Sequence, residues 1–169
     1  MDKKISQQLI DFLEKSPTCF HAVRTMTEIL EKNGFTELKE NQRWHIEKGG
    51  SYFVTRNGSS LIAFTVPAQD MKGMHILASH SDSPAFKVKE NPEIESDNHY
   101  IRLNIEGYGG MICAPWFDRP LSVAGRVIVK DPETESFRSV LVNIDRDLVM
   151  IPNLAIHMIR QINEGYKYN

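Results

Sequence analysis

The sequence predicts an α/β unit followed by a mainly β segment. Three observations carry this. Two stretches before residue 34 repeat apolar residues at helical spacing, a short apolar run begins at Met74, and short β-rich runs separated by Gly and Pro follow from Tyr100. The first texture suits helices covering a sheet, the second a strand buried on both faces, and the third a small barrel or sandwich.

Residues 3–15 read as a helix, because Ile5, Leu9, Phe12 and Leu13 fall on one stripe. Pro17 disfavours helix at Ser16 and ends it. Thr18 can cap a second helix from Cys19 to about Asn33, with Val23, Met26, Ile29 and Leu30 inward, and Gly34 is placed to stop it. "YFVTRNGSSLIAFTV" reads as a hairpin, since Asn57-Gly58 tolerates the positive φ values of a type I′ turn. "MHILAS", from Met74 to Ser79, reads as a strand near the centre of the first unit. His75 inside it is then a packed or hydrogen-bonded core histidine. The polar stretch "ENPEIESDNHY" reads as a crossing between domains. "YIRLNIEG", "LSVAGRVIVK" and "SFRSVLVNI" read as strands. A helix is expected after Pro152. The domains expected are 1–91, α/β, and 92–169, β-rich.

Composition excludes several classes. The 169 residues are enough for one ordinary domain or two small ones, and a charged content of 25% is typical of a globular protein. The net charge is −2, and Lys+Arg and Asp+Glu do not segregate along the chain, so no nucleic acid partner is indicated. No run approaches the ~20 apolar residues of a membrane span, and "MDKKISQQ" lacks a signal-peptide core. Cys19 and Cys113 are too far apart in sequence to form a metal-type pair and read as reduced thiols. A cytoplasmic protein with no membrane partner is expected.

The chemistry-bearing residues stand where the "MHILAS" run ends, in His80-Ser81-Asp82. Open α/β sheets place ligand sites beyond the C-terminal ends of their strands. Imidazole is a good zinc ligand, and a ligand histidine usually donates its other N–H to a carboxylate. H-x-D supplies both parts, although taken alone a loop histidine capped by Asp82 is the commoner outcome. His45 and His99 carry no pattern. Gly109-Gly110 says nothing about phosphate without a preceding strand and a following helix.

Four stretches in order, "SPTCFHAV" (16–23), "HILASHSDSPAFKVK" (75–89), "GYGGMICAPWFDRPLSVAGRV" (107–127) and "IPNLAIHM" (151–158), together resemble the M18 metallo-aminopeptidases, or aspartyl aminopeptidases. The resemblance covers essentially the whole chain. It implies the N-terminal part of a zinc-peptidase α/β domain, then the first half of an inserted, mainly β dimerisation and lid domain. It implies two zinc ions in the complete enzyme, a peptide substrate that loses N-terminal, often acidic, residues, and a homo-oligomer formed through the insert. His80 matches the first zinc ligand and Asp82 the residue that orients it. His157 matches a histidine that reaches the partner subunit's active site, contacts substrate there and helps polarise the scissile carbonyl.

Without the resemblance, Trp116 and Phe117 read as packing residues, Asp118 and Arg119 as an ion pair, and His157 as a helix-face histidine. The family's bridging carboxylate, general base and further ligands do not occur in this sequence. The chain is therefore expected to hold zinc weakly and to be inactive alone. The alternative is a non-catalytic, self-associating interaction module derived from such an enzyme.

Overall fold

A computed structural model describes residues 3–96 and 98–165. The elements run α1 (Lys3–Glu14), α2 (Cys19–Lys32), β1 (Thr36–Glu37), β2 (Ser51–Arg56), β3 (Ser60–Thr65), β4 (Ala85–Ser96), β5 (Tyr100–Tyr108), β6 (Ala124–Lys130) and β7 (Phe137–Asn143). Single 3₁₀ turns stand at Ala114–Trp116 and Ile162–Glu164. The fold is mixed helix and sheet and divides into two compact units. One comprises residues 1–82 and 124–143, the other 83–123 and 144–169.

In the first unit both helices form where the apolar spacing puts them. Thr18 is the N-cap of α2 in extended conformation, and its hydroxyl accepts the His21 N–H. The helix ends in a Schellman arrangement: the Gly34 N–H donates to the Glu31 carbonyl and the Phe35 N–H to the Leu30 carbonyl. Gly34 takes a φ of +81°, which a side chain would resist. β1, β2 and β3 make one sheet in that order, with β1 parallel to β2 and β2 antiparallel to β3. Asn57 and Gly58 both take positive φ, and the Ser59 N–H closes the turn onto the Arg56 carbonyl at 3.1 Å.

The core is small. Ala22 and Val23 of α2 are buried with Leu38, Tyr52 and Phe53 of the sheet region, and Phe53 is wholly inaccessible. Ile5, Leu9 and Leu13 of α1 keep their apolar stripe exposed. β6 and β7 pair antiparallel, and Arg126 of β6 meets α2 and the Asn57 turn. In the loop between them Asp131 Oδ1 accepts the backbone N–H groups of Thr134 and Glu133. Those bonds hold its carboxyl below the usual aspartate range.

The second unit is built on the β4–β5 hairpin, paired from Ala85↔Tyr108 to Ser96↔Tyr100. Trp116 packs edge-on against Phe86 with ring centroids 5.3 Å apart. This agrees with its expected packing role. Bridges join Phe117 to Ile151 and Leu121 to Val149.

Four expectations are corrected. Met74–Ser79 is not a strand: Met74, Ile76 and Leu77 are 71%, 77% and 101% exposed, and His75 is exposed as well. A strand buried on both faces needs neighbours on both edges, and none pairs with this run among the described residues. Residues 90–96 are not a crossing but the second half of β4. The register shift between Val88 and Glu93 accommodates Pro92, which cannot donate to a regular ladder. Residue 91, where the sequence divides the chain, thus lies inside that strand.

No α-helix follows Pro152 among the described residues. The Ile151 carbonyl is taken by the Asp118 N–H, and residues 153 and 154 donate to side-chain oxygens. Leu154, Ile156 and Met158 remain exposed, so a helical stripe here would gain no packing. Lastly, Asp118 and Arg119 do not pair. Asp118 Oδ1 accepts the Asn153 N–H, and Arg119 Nη1 donates to the Pro115 carbonyl.

Candidate functional site

His80, Ser81 and Asp82 stand in the irregular segment that closes the first stretch of the first unit. His80 Nδ1 lies 2.8 Å from the Asp82 carbonyl oxygen and 3.0 Å from Asp82 Oδ1. Both neighbours can only accept when the carboxylate is ionised, so Nδ1 carries the proton. In the neutral ring the lone pair is then on Nε2, which has no hydrogen-bond partner among the described residues. The His80 side chain is 80% exposed, against 42% for Asp82. The arrangement gives one imidazole nitrogen of fixed tautomer, open to an incoming Lewis acid. That is the division of labour expected for a ligand histidine and its orienting carboxylate.

Ser81 between them is an anchor that the sequence does not reveal. Its hydroxyl donates to the Ser59 carbonyl at 2.9 Å, tying the segment to the end of the Asn57-Gly58 turn. The two residues are 22 positions apart in sequence, and no local pattern announces such a bond.

His157 belongs to the second unit and is exposed. It sits in a turn whose Met158 and Ile159 N–H groups both donate to the Ala155 carbonyl. The approach to that turn is fixed by the Asp118–Asn153 bond. Asp118 adopts a φ of +55°, a left-handed value that Asp tolerates better than most side chains.

The residues present fit zinc only in part. His80 supplies one nitrogen of the right kind and tautomer. Among the described residues no group of three or more His, Cys, Asp or Glu side chains converges to hold a metal ion. A zinc site needs about three protein ligands per metal, so His80 by itself does not make one. Cys19 and Cys113 are free thiols, half-buried. No helix among the described residues is long and apolar enough to cross a membrane.

Comparison with known proteins gives this geometry a context. The model of the family described as "Aminopeptidase I zinc metalloprotease (M18)" matches residues 12–169. A "Probable M18 family aminopeptidase 2" of Clostridium novyi is 49% identical over 168 residues, covering 98% of this chain and 39% of that protein. A protein of the same name from Pseudomonas paraeruginosa is 45% identical over 171 residues, again covering 39% of its length.

Among solved structures, Chaetomium thermophilum mApe1 superposes with a TM-score of 0.84 at 39% identity, over 92% of this chain and 36% of that one. The S. cerevesiae mApe1 dodecamer gives 0.82 at 33%, over 90% of this chain and 36% of that one. Fold and sequence thus converge on one class, the metallo-aminopeptidases. The chain belongs to the M18 family, and it spans 39% of the length of the curated relatives it matches.

Proposed function

We propose that this chain is the N-terminal part of a zinc-dependent aminopeptidase that removes N-terminal, often acidic, residues from peptides. His80 is its first zinc ligand, and Asp82 holds the tautomer that ligation needs. The observation that carries this reading is the pair of contacts from His80 Nδ1 to Asp82, which leave Nε2 for a metal. Two zinc ions in the complete enzyme would polarise the substrate carbonyl and lower the pKa of the attacking water. His157 acts across a subunit boundary, contacting substrate and stabilising the developing oxyanion.

Residues 1–82 belong to the first part of the catalytic domain, and the β4–β5 hairpin of the second unit to the start of the inserted dimerisation and lid domain. A homo-oligomer follows from this, supported by the dodecameric assembly of the yeast mApe1 relative. The free thiols suit a cytoplasmic protein.

Alone, the chain binds zinc weakly and hydrolyses nothing, because one imidazole leaves most coordination positions to water. A second reading, a non-catalytic self-associating module, is favoured by the exposed apolar residues of α1 and of the Met74–Leu77 run. Metal analysis together with assays on Asp- and Glu-terminal peptides tests the proposal. The expected result for the 169-residue chain is well under one zinc per chain and no turnover. Stoichiometric zinc with peptide cleavage would overturn it.

A further inference from the structure

The first unit contains a second feature that the zinc chemistry does not use. A groove of about 390 Å³ opens between α2, the Asn57-Gly58 turn and the β6–β7 hairpin. Two arginines line it, Arg24 of α2 and Arg126 of β6, and no carboxylate does. Arg126 is held in place from two sides. Its guanidinium lies 4.1 Å from the centre of the Phe20 ring, and its Nη1 donates to the carbonyl and Oδ1 oxygens of Asn57 at 2.7 and 3.0 Å. Nε and Nη2 have no protein partner among the described residues. Arg24 has neither a hydrogen-bonded nor an ionic partner for its side chain among them.

We propose that this groove binds an organic carboxylate carrying an apolar group. Two positive charges without a neighbouring carboxylate favour an anion. An oriented guanidinium with donors to spare suits a planar carboxylate, which it can engage through two parallel bonds. Phe20, Val23 and Leu141 on the same walls suit an apolar body beside the charge. The hydroxyls of Thr55 and Ser139 line the groove as well and add neutral donors. The same chemistry is presented by a free N-acyl amino acid and by the C-terminal residue of a peptide. The groove lies wholly within the first unit, so it does not depend on the zinc reading.

The test is titration of the 169-residue chain with N-acetyl-leucine, N-acetyl-leucinamide, the tripeptide Ala-Ala-Leu and inorganic phosphate, followed by the backbone amide resonances of Thr55, Arg126 and Ser139. N-acetyl-leucine is expected to shift them with a Kd on the order of millimolar, as its small size allows. The amide lacks the charge-assisted bonds and phosphate lacks an apolar body for Phe20, Val23 and Leu141, so each is expected to bind ~10-fold or more weakly. Tighter binding of Ala-Ala-Leu would identify peptide ends as the source, and binding of the N-acyl acid alone would identify small acids.

Arg126 also tethers β6 to the turn, so Arg126→Ala tests the fold as much as the site. Arg24→Gln does not disturb that tether. It is expected to keep the melting temperature and lose ~10-fold or more of the affinity. Equal binding of the acid and its amide, phosphate binding as tightly as N-acetyl-leucine, no response to N-acetyl-leucine, or an Arg24→Gln chain that binds like the parent would each overturn the proposal.

Discussion

Asp118 Oδ1 accepts the backbone N–H of Asn153 at 2.8 Å, across 35 residues of sequence. This bond joins two of the stretches that carry the family resemblance, "WFDR" and "IPNLAIH", and it fixes the chain four residues before His157. The Phe117↔Ile151 bridge and the 3.0 Å bond from the Asp118 N–H to the Ile151 carbonyl reinforce it.

Asp118→Ala is expected to speed hydrogen exchange at the Asn153 amide by ~10-fold, the order expected for losing one hydrogen bond to a charged group. Asp118→Asn retains a carbonyl acceptor and tolerates the left-handed backbone, so it should stay close to the parent. Exchange measured residue by residue checks this. Equal protection in all three chains would show that the side chain does not hold the segment.

Thr18 caps α2, and its Oγ1 also stands 2.8 Å from Nδ1 of the buried His21. Thr18→Ala removes an N-cap acceptor and should cost about 1 kcal/mol, with Thr18→Ser recovering most of it. Urea denaturation monitored by helical circular dichroism reads the difference. An unchanged midpoint for Thr18→Ala would refute the capping role.

His21 links folding to pH. Burial, and secondly the positive charge of Arg24, hold its pKa below 6.5, the ordinary histidine value. The unfolded chain therefore takes up a proton first as pH falls. The stability that neutral His21 contributes is complete above about pH 6.5 and is lost as pH drops from there through the folded-state pKa. His21→Gln, which cannot titrate, should flatten the stability profile over that window. Denaturation midpoints at a series of pH values from about 7.5 to about 5 measure it. A parent profile as flat as that of His21→Gln would contradict the coupling.

Phe53 is the wholly inaccessible member of the small core, on the middle strand of the β1–β2–β3 sheet. Phe53→Ala should destabilise the first unit by about 3–5 kcal/mol. With so few buried residues to share the loss, the variant is expected to be largely unfolded at about 37 °C. Calorimetry checks this, and a retained, cooperative transition near the parent's would place the core elsewhere.

Where local chemistry decides the structure, the sequence was readable. The stripe and caps of α2 depend on Thr18 and Gly34, and the β2–β3 hairpin on Asn57-Gly58, all within a few residues of what they shape. Readability failed where a segment's state depends on partners. Met74–Ser79 has the composition of a buried strand, but composition cannot show whether edges are available to pair with it. The polar residues 90–96 pair with β5 along an exposed ribbon, so the usual alternation of buried and exposed side chains is absent. Ile151–Leu154 has helical spacing downstream, yet its backbone is committed to Asp118 and its neighbours. For the site, His80 and Asp82 could be found because they are two residues apart. Ser81–Ser59 and Asp118–Asn153 could not, since each joins positions that only the fold brings together.

We propose that His80 ligates zinc while Asp82 orients it and His157 serves the substrate. Metal content and turnover on Asp- and Glu-terminal peptides, measured side by side in a full-length M18 protein carrying this sequence, test it most directly. His80→Ala should lower bound zinc and abolish turnover, and Asp82→Ala should reduce both less severely, with metal affinity down ~10–100-fold. His157→Ala should keep the parent's metal content and lose turnover. If His157→Ala strips the metal, or His80→Ala leaves both zinc and activity intact, the assignment of roles is wrong.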